Sequence, residues 1–109
     1  MTVLIDGREY VLSPRRAVDV LDLTYIAQKE GEPDTTMNLL RMVQVVSDSL
    51  KSTYLSLGRV RGFRYARFVG KGGVSALIEA MSLQDISDAV EKVGEVEGLK
   101  KKATPAGNE

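Results

Sequence analysis

The sequence predicts an α+β fold that is mainly α: an N-terminal β-hairpin packed on a small bundle of about four helices around a long central helix. Three observations predict this fold. An Asp6-Gly7 pair separates two short runs rich in β-forming residues, residues 34–57 carry apolar side chains on most sides of one helix, and two further helical segments follow. A chain of 109 residues has room for one domain, which we predict over residues 1–99.

Composition narrows the classes of function. The chain has 15 basic and 15 acidic residues, and it contains no Cys and no His. Without these two residue types there is no Ser-His-Asp triad, no Cys-His pair and no imidazole or thiolate ligand for zinc or iron. We therefore expect a protein that is not an enzyme and that binds no cofactor and no metal. No apolar run is long enough to span a membrane, and the first residues lack a signal-peptide pattern, so we expect a cytoplasmic protein with no membrane partner.

The first element is a hairpin predicted over residues 2–12. Asp-Gly between two β-rich runs is a strong hairpin signal, because a two-residue type I′ turn needs positive φ at both central positions. Two strands alone are only marginally stable. The hairpin must therefore pack on the helices, or its edge must pair with another chain.

A helix over residues 14–29 is predicted next, with Ser13 as its N-cap and Pro14 at its first position. Gly31-Glu32-Pro33 closes it. The central helix is predicted over residues 34–57, with Asp34 or Thr35 placed to cap its start and Gly58 where a C-terminal cap is expected.

The central helix has two different halves. All residues from Met37 to Val46 are apolar except Asn38, Arg41 and Gln44, so its polar strip is one residue wide. We expect this half to be wrapped by the core, although part of its Met-containing surface also suits a partner helix. After Val46 the apolar positions thin out, and we expect these polar residues to face water: Ser47, Asp48, Ser49, Lys51 and Ser52.

Charge is strongly polarised along the second half of the chain. The segment from Lys51 to Lys71 has basic residues and no acid, whereas Glu79 to Glu97 is acidic apart from Lys92. The basic segment interleaves arginines with Phe63, Tyr65 and Phe68. Such a pattern is typical of single-strand nucleic-acid surfaces, but it is equally that of a loop anchored by aromatic residues. A third interpretation is pairing with the acidic helix, in the same chain or in a neighbouring copy.

Two helices and a tail complete the prediction. Gly70-Lys71-Gly72-Gly73 lacks the spacing of a phosphate-binding loop and is better explained as a joint before a helix over residues 73–81. Ser82 and Asp85 form a capping-box pattern that opens a last helix over residues 83–99. The acids on this helix suit a solvated face better than a cation site. Residues 100–109 are polar and predicted to be disordered.

The order of elements, together with one sequence stretch, resembles a known family. Residues 81–100 read Met-Ser-Leu-Gln-Asp-Ile-Ser-Asp-Ala-Val-Glu-Lys-Val-Gly-Glu-Val-Glu-Gly-Leu-Lys. With the hairpin, the helices and the Gly-containing middle, this stretch resembles the tail assembly chaperones of long-tailed bacteriophages and prophages. In that family the short product ends soon after such a helix, and ribosomal slippage yields a longer product. The codons of Lys100-Lys101-Lys102 are the expected place for the slip.

The resemblance implies a function in protein binding that needs no catalysis. Family members bind the tape measure protein in the cytoplasm of the bacterial host cell and help recruit tail tube subunits around it. A protein of this kind needs an apolar groove, and the expected contacts are Leu39, Met42, Val46, Leu50 and Tyr54. It also needs weak self-association as a homo-oligomer, and the expected charge pairs between copies join Arg61, Arg64 and Arg67 to Asp88, Glu91 and Glu95.

A small nucleic-acid-binding regulator is the alternative function. It would use the basic stretch from Arg59 to Lys71, and its affinity would fall steeply with salt. Zero net charge and the lack of a recognisable recognition-helix pair argue against nucleic acid as a partner.

Overall fold

A computed structural model of the chain describes residues 1–21, 35–70 and 72–98, with side chains in the second range from residue 38 onward. It confirms the α+β, mainly α fold. A two-stranded antiparallel hairpin, β1 (Thr2–Ile5) and β2 (Arg8–Val11), packs on helices arranged around the long α1 (Thr35–Arg61). A 3-10 helix (Phe63–Phe68), α2 (Gly73–Ala80) and α3 (Leu83–Val96) follow. No helix in the described ranges is long and apolar enough to cross a membrane.

The core draws on every one of these elements. Its buried apolar side chains are Val3, Ile5, Tyr10, Leu12, Val43, Val46, Leu50, Tyr65, Phe68, Leu77, Met81, Ile86, Ala89 and Val93.

The hairpin has the predicted turn. Asp6 and Gly7 both have positive φ, 54° and 78°, as a type I′ turn requires. The register pairs Val3 with Tyr10 and Ile5 with Arg8, and alternation places Val3, Ile5 and Tyr10 on the buried face. The hairpin therefore packs on the helices of its own chain, one of the two arrangements expected.

Side chains from the helices cover the outer edge of β2. The backbone N–H of Val11 donates to the Tyr65 hydroxyl at 2.9 Å, and the Val11 carbonyl accepts from Thr53 Oγ1 at 2.8 Å. Two residues back, the carbonyl of Glu9 accepts from Arg64 Nη2 at 2.9 Å. These groups point away from β1, so without such partners they would be an exposed strand edge.

The predicted start of the first helix is wrong. Residues 12–16 are not helical, and the chain becomes helical only at residue 17, where Arg16 O accepts from the N–H groups of Asp19 and Val20. Ser13 does not cap a helix because it is used elsewhere. Its N–H donates to Ser49 Oγ at 3.0 Å, and its carbonyl accepts from the same hydroxyl at 2.7 Å. The predicted helix beyond residue 21 lies outside the described residues.

The second half of α1 is more buried than predicted. Ser47, Asp48 and Ser49 are all buried, so the expectation that they face water is wrong for these three. The segments around Ser13 and Phe68 lie against this face and supply hydrogen-bond partners for Ser49 and Ser47, whereas the partner of Asp48 is on α1 itself. Ser47 Oγ donates to the carbonyl of Phe68 at 2.7 Å, and Asp48 accepts from Gln44 Nε2 at 2.8 Å. The half predicted to be wrapped contains the exposed Leu40 instead.

A break at Gly58 divides the end of α1. Gly58 has φ 88° and ψ 171°, a backbone conformation that is almost restricted to glycine. The predicted end of the helix before this residue is therefore correct for its regular part, and one further turn, residues 59–61, follows the break. Gly62 closes that turn by donating its N–H to Gly58 O at 2.8 Å.

The last two helices match their predicted starts. Helix α2 occupies Gly73–Ala80, against a predicted 73–81, and α3 begins at Leu83 as expected. The capping box is present: Asp85 N–H donates to Ser82 Oγ at 3.1 Å, and Ser82 N–H donates to Asp85 Oδ2 at 3.2 Å. Helix α3 ends at Val96, earlier than the predicted residue 99, and residues 99–109 lie outside the described part of the chain.

Candidate protein-binding site

An apolar cleft lies between the N-terminal half of α1 and the first turns of α3. Its volume is about 600 Å³, and its lining residues are Asn38, Leu39, Met42, Leu83, Gln84 and Ser87. The helical spacing of three residues places Leu39 and Met42 on one face of α1. Leu83 is 65% exposed at the start of α3.

The chemistry of this lining favours binding over catalysis. None of the described residues in the lining is ionisable, so these residues offer no group for acid–base or nucleophilic chemistry at neutral pH. Leu39, Met42 and Leu83 can bury an apolar side chain, and the amides of Asn38 and Gln84 can hydrogen-bond to a ligand.

The cleft contains two of the five predicted groove residues. Leu39 and Met42 line it, whereas Val46 and Leu50 are fully buried in the core and are not available to a partner. Tyr54 is half-buried beside Gly62, away from the cleft residues. The predicted groove along the whole of α1 is therefore wrong for Val46 and Leu50, because the hairpin and the 3-10 helix already cover that part of the helix.

Sequence reasoning missed the contribution of α3 to the cleft. Leu83 continues the apolar spacing of Ile86 and Ala89 by one step towards the helix start. This spacing was the available signal. It does not show, however, that the buried stripe of the helix stops at Ile86 and leaves Leu83 outside the core. The residue therefore faces the cleft instead of joining the core.

Two of the arginines expected to pair between copies contact their own hairpin. The Arg64 guanidinium lies over the ring of Tyr10, 5.2 Å from its centroid, in addition to its hydrogen bond to the hairpin backbone. Arg67 forms an ion pair with Asp6 and lies 4.5 Å from the ring centroid of Phe68.

The remaining members of the predicted charge pairs are on separate elements. Arg61 is exposed at the end of α1. On α3, Asp88 is exposed and accepts from Gln84 Nε2 at 3.0 Å, Glu91 is exposed and Glu95 is half-buried. Pairing of these acids with arginines of a second copy stays a prediction.

The aromatic residues of the basic segment have separate roles. Tyr65 and Phe68 are buried, and both rings meet Tyr10 edge-on, with centroid distances of 5.1 Å and 5.3 Å. They anchor the 3-10 helix to the hairpin, so only Phe63 is left for a base to stack on. A surface for single-stranded nucleic acid uses several such rings, and the interpretation as an anchored segment fits Tyr65 and Phe68 better.

An ion pair joins the segment after the hairpin to the end of α3. Arg15 Nε and its backbone N–H both donate to Glu97 Oε2 at 2.8 Å, and Arg15 Nη2 donates to Oε1 at 2.9 Å. Both side chains are only 12% exposed. These hydrogen bonds hold the pKa of Glu97 below its usual range and raise that of Arg15, against the opposing effect of burial.

Two further carboxylates near this segment have opposite environments. Burial raises the pKa of Asp48, and the hydrogen bond from Gln44 only partly offsets the effect. The pKa of Asp19 is lowered, chiefly by the hydrogen bond from Arg16 and also by Lys51, whose Nζ lies 3.6 Å from Oδ1. Asp19 is thus explained by its ion pairs, and Asp48 by its burial in the fold.

Replacing Glu97 by glutamine is expected to lower the free energy of unfolding at neutral pH by about 2 kcal/mol, because a partly buried guanidinium loses its charged acceptor. A carboxylate with a lowered folded pKa stabilises the protein above its unfolded pKa, and this contribution is lost as the pH falls through the folded value. The difference between parent and Glu97→Gln should therefore shrink below about pH 4.3, the ordinary glutamate pKa. Urea unfolding at a series of pH values measures it.

Glu95→Gln is the control, since Glu95 lies in the last turn of α3, two residues before Glu97, and has no ion pair with a described residue. It should change the free energy of unfolding by no more than about 0.5 kcal/mol. The raised pKa of Asp48 cancels in the comparison because all three proteins contain this residue. A difference between parent and Glu97→Gln that stays constant from neutral to acidic pH would contradict the assignment.

Neither metal binding nor similarity to known proteins points to a further functional site. Among the side chains that the structure describes, no group of three or more Asp or Glu residues is placed to hold a metal ion. Comparison of the chain with protein-family models, curated proteins and solved structures gives no match in any of the three.

Proposed function

We propose that this protein is a non-enzymatic tail assembly chaperone of a long-tailed bacteriophage or prophage, which binds the tape measure protein and helps recruit tail tube subunits around it. The observation that supports this proposal is the apolar cleft between α1 and α3, with Leu39, Met42 and Leu83 in its lining. In this proposal the protein works in the cytoplasm of the bacterial host cell and associates weakly with other copies of itself.

The cleft suits a helical partner. A helix presents apolar side chains three and four residues apart on one face, and helix-in-groove recognition places a few of them in such a cleft. Methionine adapts to side chains of different shape, so Met42 favours binding to a repetitive partner at many similar positions. A small cleft also favours weak and reversible binding, which a chaperone needs because it leaves before assembly is complete.

The test uses a helical fragment of a tape measure protein of a long-tailed bacteriophage. We expect the parent protein to bind the fragment in a calorimetric titration and to keep it in solution. Leu83→Glu should weaken binding at least about tenfold, because a charge replaces a central apolar contact. Leu83 is exposed and lies at the start of a helix, where an acid is favourable. We therefore expect Leu83→Glu to fold as the parent does.

Ile78→Glu is the matched control. Ile78 is also a large exposed apolar residue, but it lies on α2 and does not line the cleft. It should bind the fragment as the parent does. No binding by the parent, or equal binding by the parent and Leu83→Glu, would refute the proposal for this cleft.

A further inference from the structure

The most exposed apolar side chains lie just after the break in α1. Val60 is 86% exposed and Phe63 is 72% exposed, the two highest values among the large apolar side chains that the structure describes. We call Arg59, Val60, Arg61 and Phe63 the tip. Leaving such side chains in water forgoes the free energy of burying them, so the folding of this chain does not explain the tip.

Two glycines shape the tip. The conformation of Gly58 turns the chain out of the regular helix. A Cβ at Gly62 would lie 2.9 Å from Gly58 O and 3.1 Å from a ring carbon of Tyr54, so only glycine fits there without a shift. The two glycines therefore determine the conformation of the turn of residues 59–61.

The residues that follow the tip in the 3-10 helix are packed against the hairpin. Tyr65 and Phe68 follow Phe63 in the same 3-10 helix and are buried against Tyr10. Phe63 thus extends from an element that is fixed on its opposite face. An anchor that is already positioned loses little conformational entropy when it binds, which raises affinity.

The charged residues of the tip and of the sequence around it all have one sign. Arg59 and Arg61 flank Val60, are exposed and form no ion pair with any residue in the described ranges. No acidic residue occurs between Lys51 and Lys71. By contrast, Arg64 and Arg67 are engaged by the hairpin, so Arg59 and Arg61 are the cations that the tip offers to a partner.

We propose that the tip is a second docking site, which binds an acidic segment of a partner protein that also carries apolar side chains. The two arginines favour an acidic segment through charge complementarity. The exposed Val60 and Phe63 favour a segment that has apolar side chains beside its acids. Phenylalanine and arginine are also both enriched in protein–protein interfaces. This site is separate from the cleft and does not depend on the cleft's partner.

Other classes of partner fit the tip less well. A single-stranded nucleic acid needs a track of cations and several stacking rings, whereas the tip has two arginines and one ring. A membrane surface is bound by the broad apolar face of an amphipathic helix, whereas the tip is one helical turn and one phenylalanine. A protein segment needs only the small site that is present.

The experiment uses two labelled synthetic peptides with the same helical pattern of leucine and phenylalanine. One has glutamate at the polar positions and the other has lysine. We expect the full chain to bind the glutamate peptide in fluorescence anisotropy, more weakly at high salt, and to bind the lysine peptide at least about tenfold more weakly. Amide shifts on binding should centre on residues 59–63.

Variants test the residues of the tip. Phe63→Ala and the double variant Arg59→Gln with Arg61→Gln should each weaken binding of the glutamate peptide at least about tenfold. Arg8→Gln, at another exposed arginine, is the control for charge and should bind as the parent does. Leu83→Glu should also bind the peptide normally, which separates the tip from the cleft.

Four results would overturn the proposal. These are equal binding of the two peptides, unchanged binding by Phe63→Ala, and tighter binding at the tip of either oligothymidylate or anionic phosphatidylglycerol vesicles than of the glutamate peptide. The last two would assign the tip to nucleic acid or to a membrane surface.

Discussion

Replacing Gly73 by alanine is expected to lower the free energy of unfolding by at least about 3 kcal/mol, at the upper end of the usual cost of overpacking. A Cβ at this position would lie 2.3 Å from the carbonyl oxygen of Phe68 and 3.1 Å from Ser47 Oγ. The first of these atoms belongs to the backbone and cannot rotate away. Because Phe68 O also accepts the buried hydrogen bond from Ser47, any shift that relieves the clash disturbs that bond. Urea unfolding followed by circular dichroism measures the loss.

Gly72→Ala is the matched control one residue earlier. Its φ of −87° suits any residue, and a Cβ there would meet nothing within 4 Å. We expect this variant to stay within about 1 kcal/mol of the parent, since alanine is a poorer N-cap than glycine but also less flexible when unfolded. If the two alanine variants unfolded at the same urea concentration, the close packing of α2 on the end of the 3-10 helix would be wrong.

Phe68→Ala should cost about 3–5 kcal/mol, the usual range for truncating a buried phenylalanine. The ring of Phe68 is fully buried and contacts Tyr10 edge-on, so its removal leaves a cavity between the hairpin and the helices. A loss of this size is a large part of the stability of a small domain. The variant should therefore unfold at a much lower temperature than the parent, as measured by differential scanning calorimetry.

Phe63→Ala provides the comparison within the same 3-10 helix. Phe63 is exposed, so we expect a change of no more than about 0.5 kcal/mol. Equal losses for the two variants would mean that Phe63 is also packed, and the tip would then not be available to a partner. The same variant is thus a check on folding and on binding.

Local patterns were enough to predict most of the secondary structure. Asp6-Gly7 specifies its own turn because the requirement for positive φ lies in the two turn residues themselves. The capping box of Ser82 and Asp85 is equally local, since each residue satisfies the backbone of the other. Where the determinant of a structure lies within a few residues, the sequence alone predicts it.

Long-range partners explain the predictions that failed. The sequence predicts that Ser49 faces water because it is polar, but its partner Ser13 is distant along the chain and is the residue predicted to cap the first helix. The same contact accounts for both errors. Arg15 and Glu97 belong to opposite ends of the described chain, and no local pattern joins them.

The candidate site was predicted only in part for a related reason. The apolar spacing of α1 identifies Leu39, Met42, Val46 and Leu50 as one stripe, but it does not show which part of the stripe the rest of the chain covers. The hairpin and the 3-10 helix cover the part from Val46 onward. The cleft then forms where this cover ends and where α3 brings Leu83 opposite α1.

The covered edge of β2 limits how this protein can aggregate. Fibril growth by strand pairing needs two available edges on every molecule, one for each neighbour. Here the carbonyl of Glu9 and both backbone groups of Val11 are already bound by Arg64, Thr53 and Tyr65. While the fold is intact, these contacts occupy three outward backbone groups of β2 and disfavour pairing of this edge with a strand of another molecule. The side chains that hold the hairpin in place thus also oppose the addition of strands from other molecules to β2.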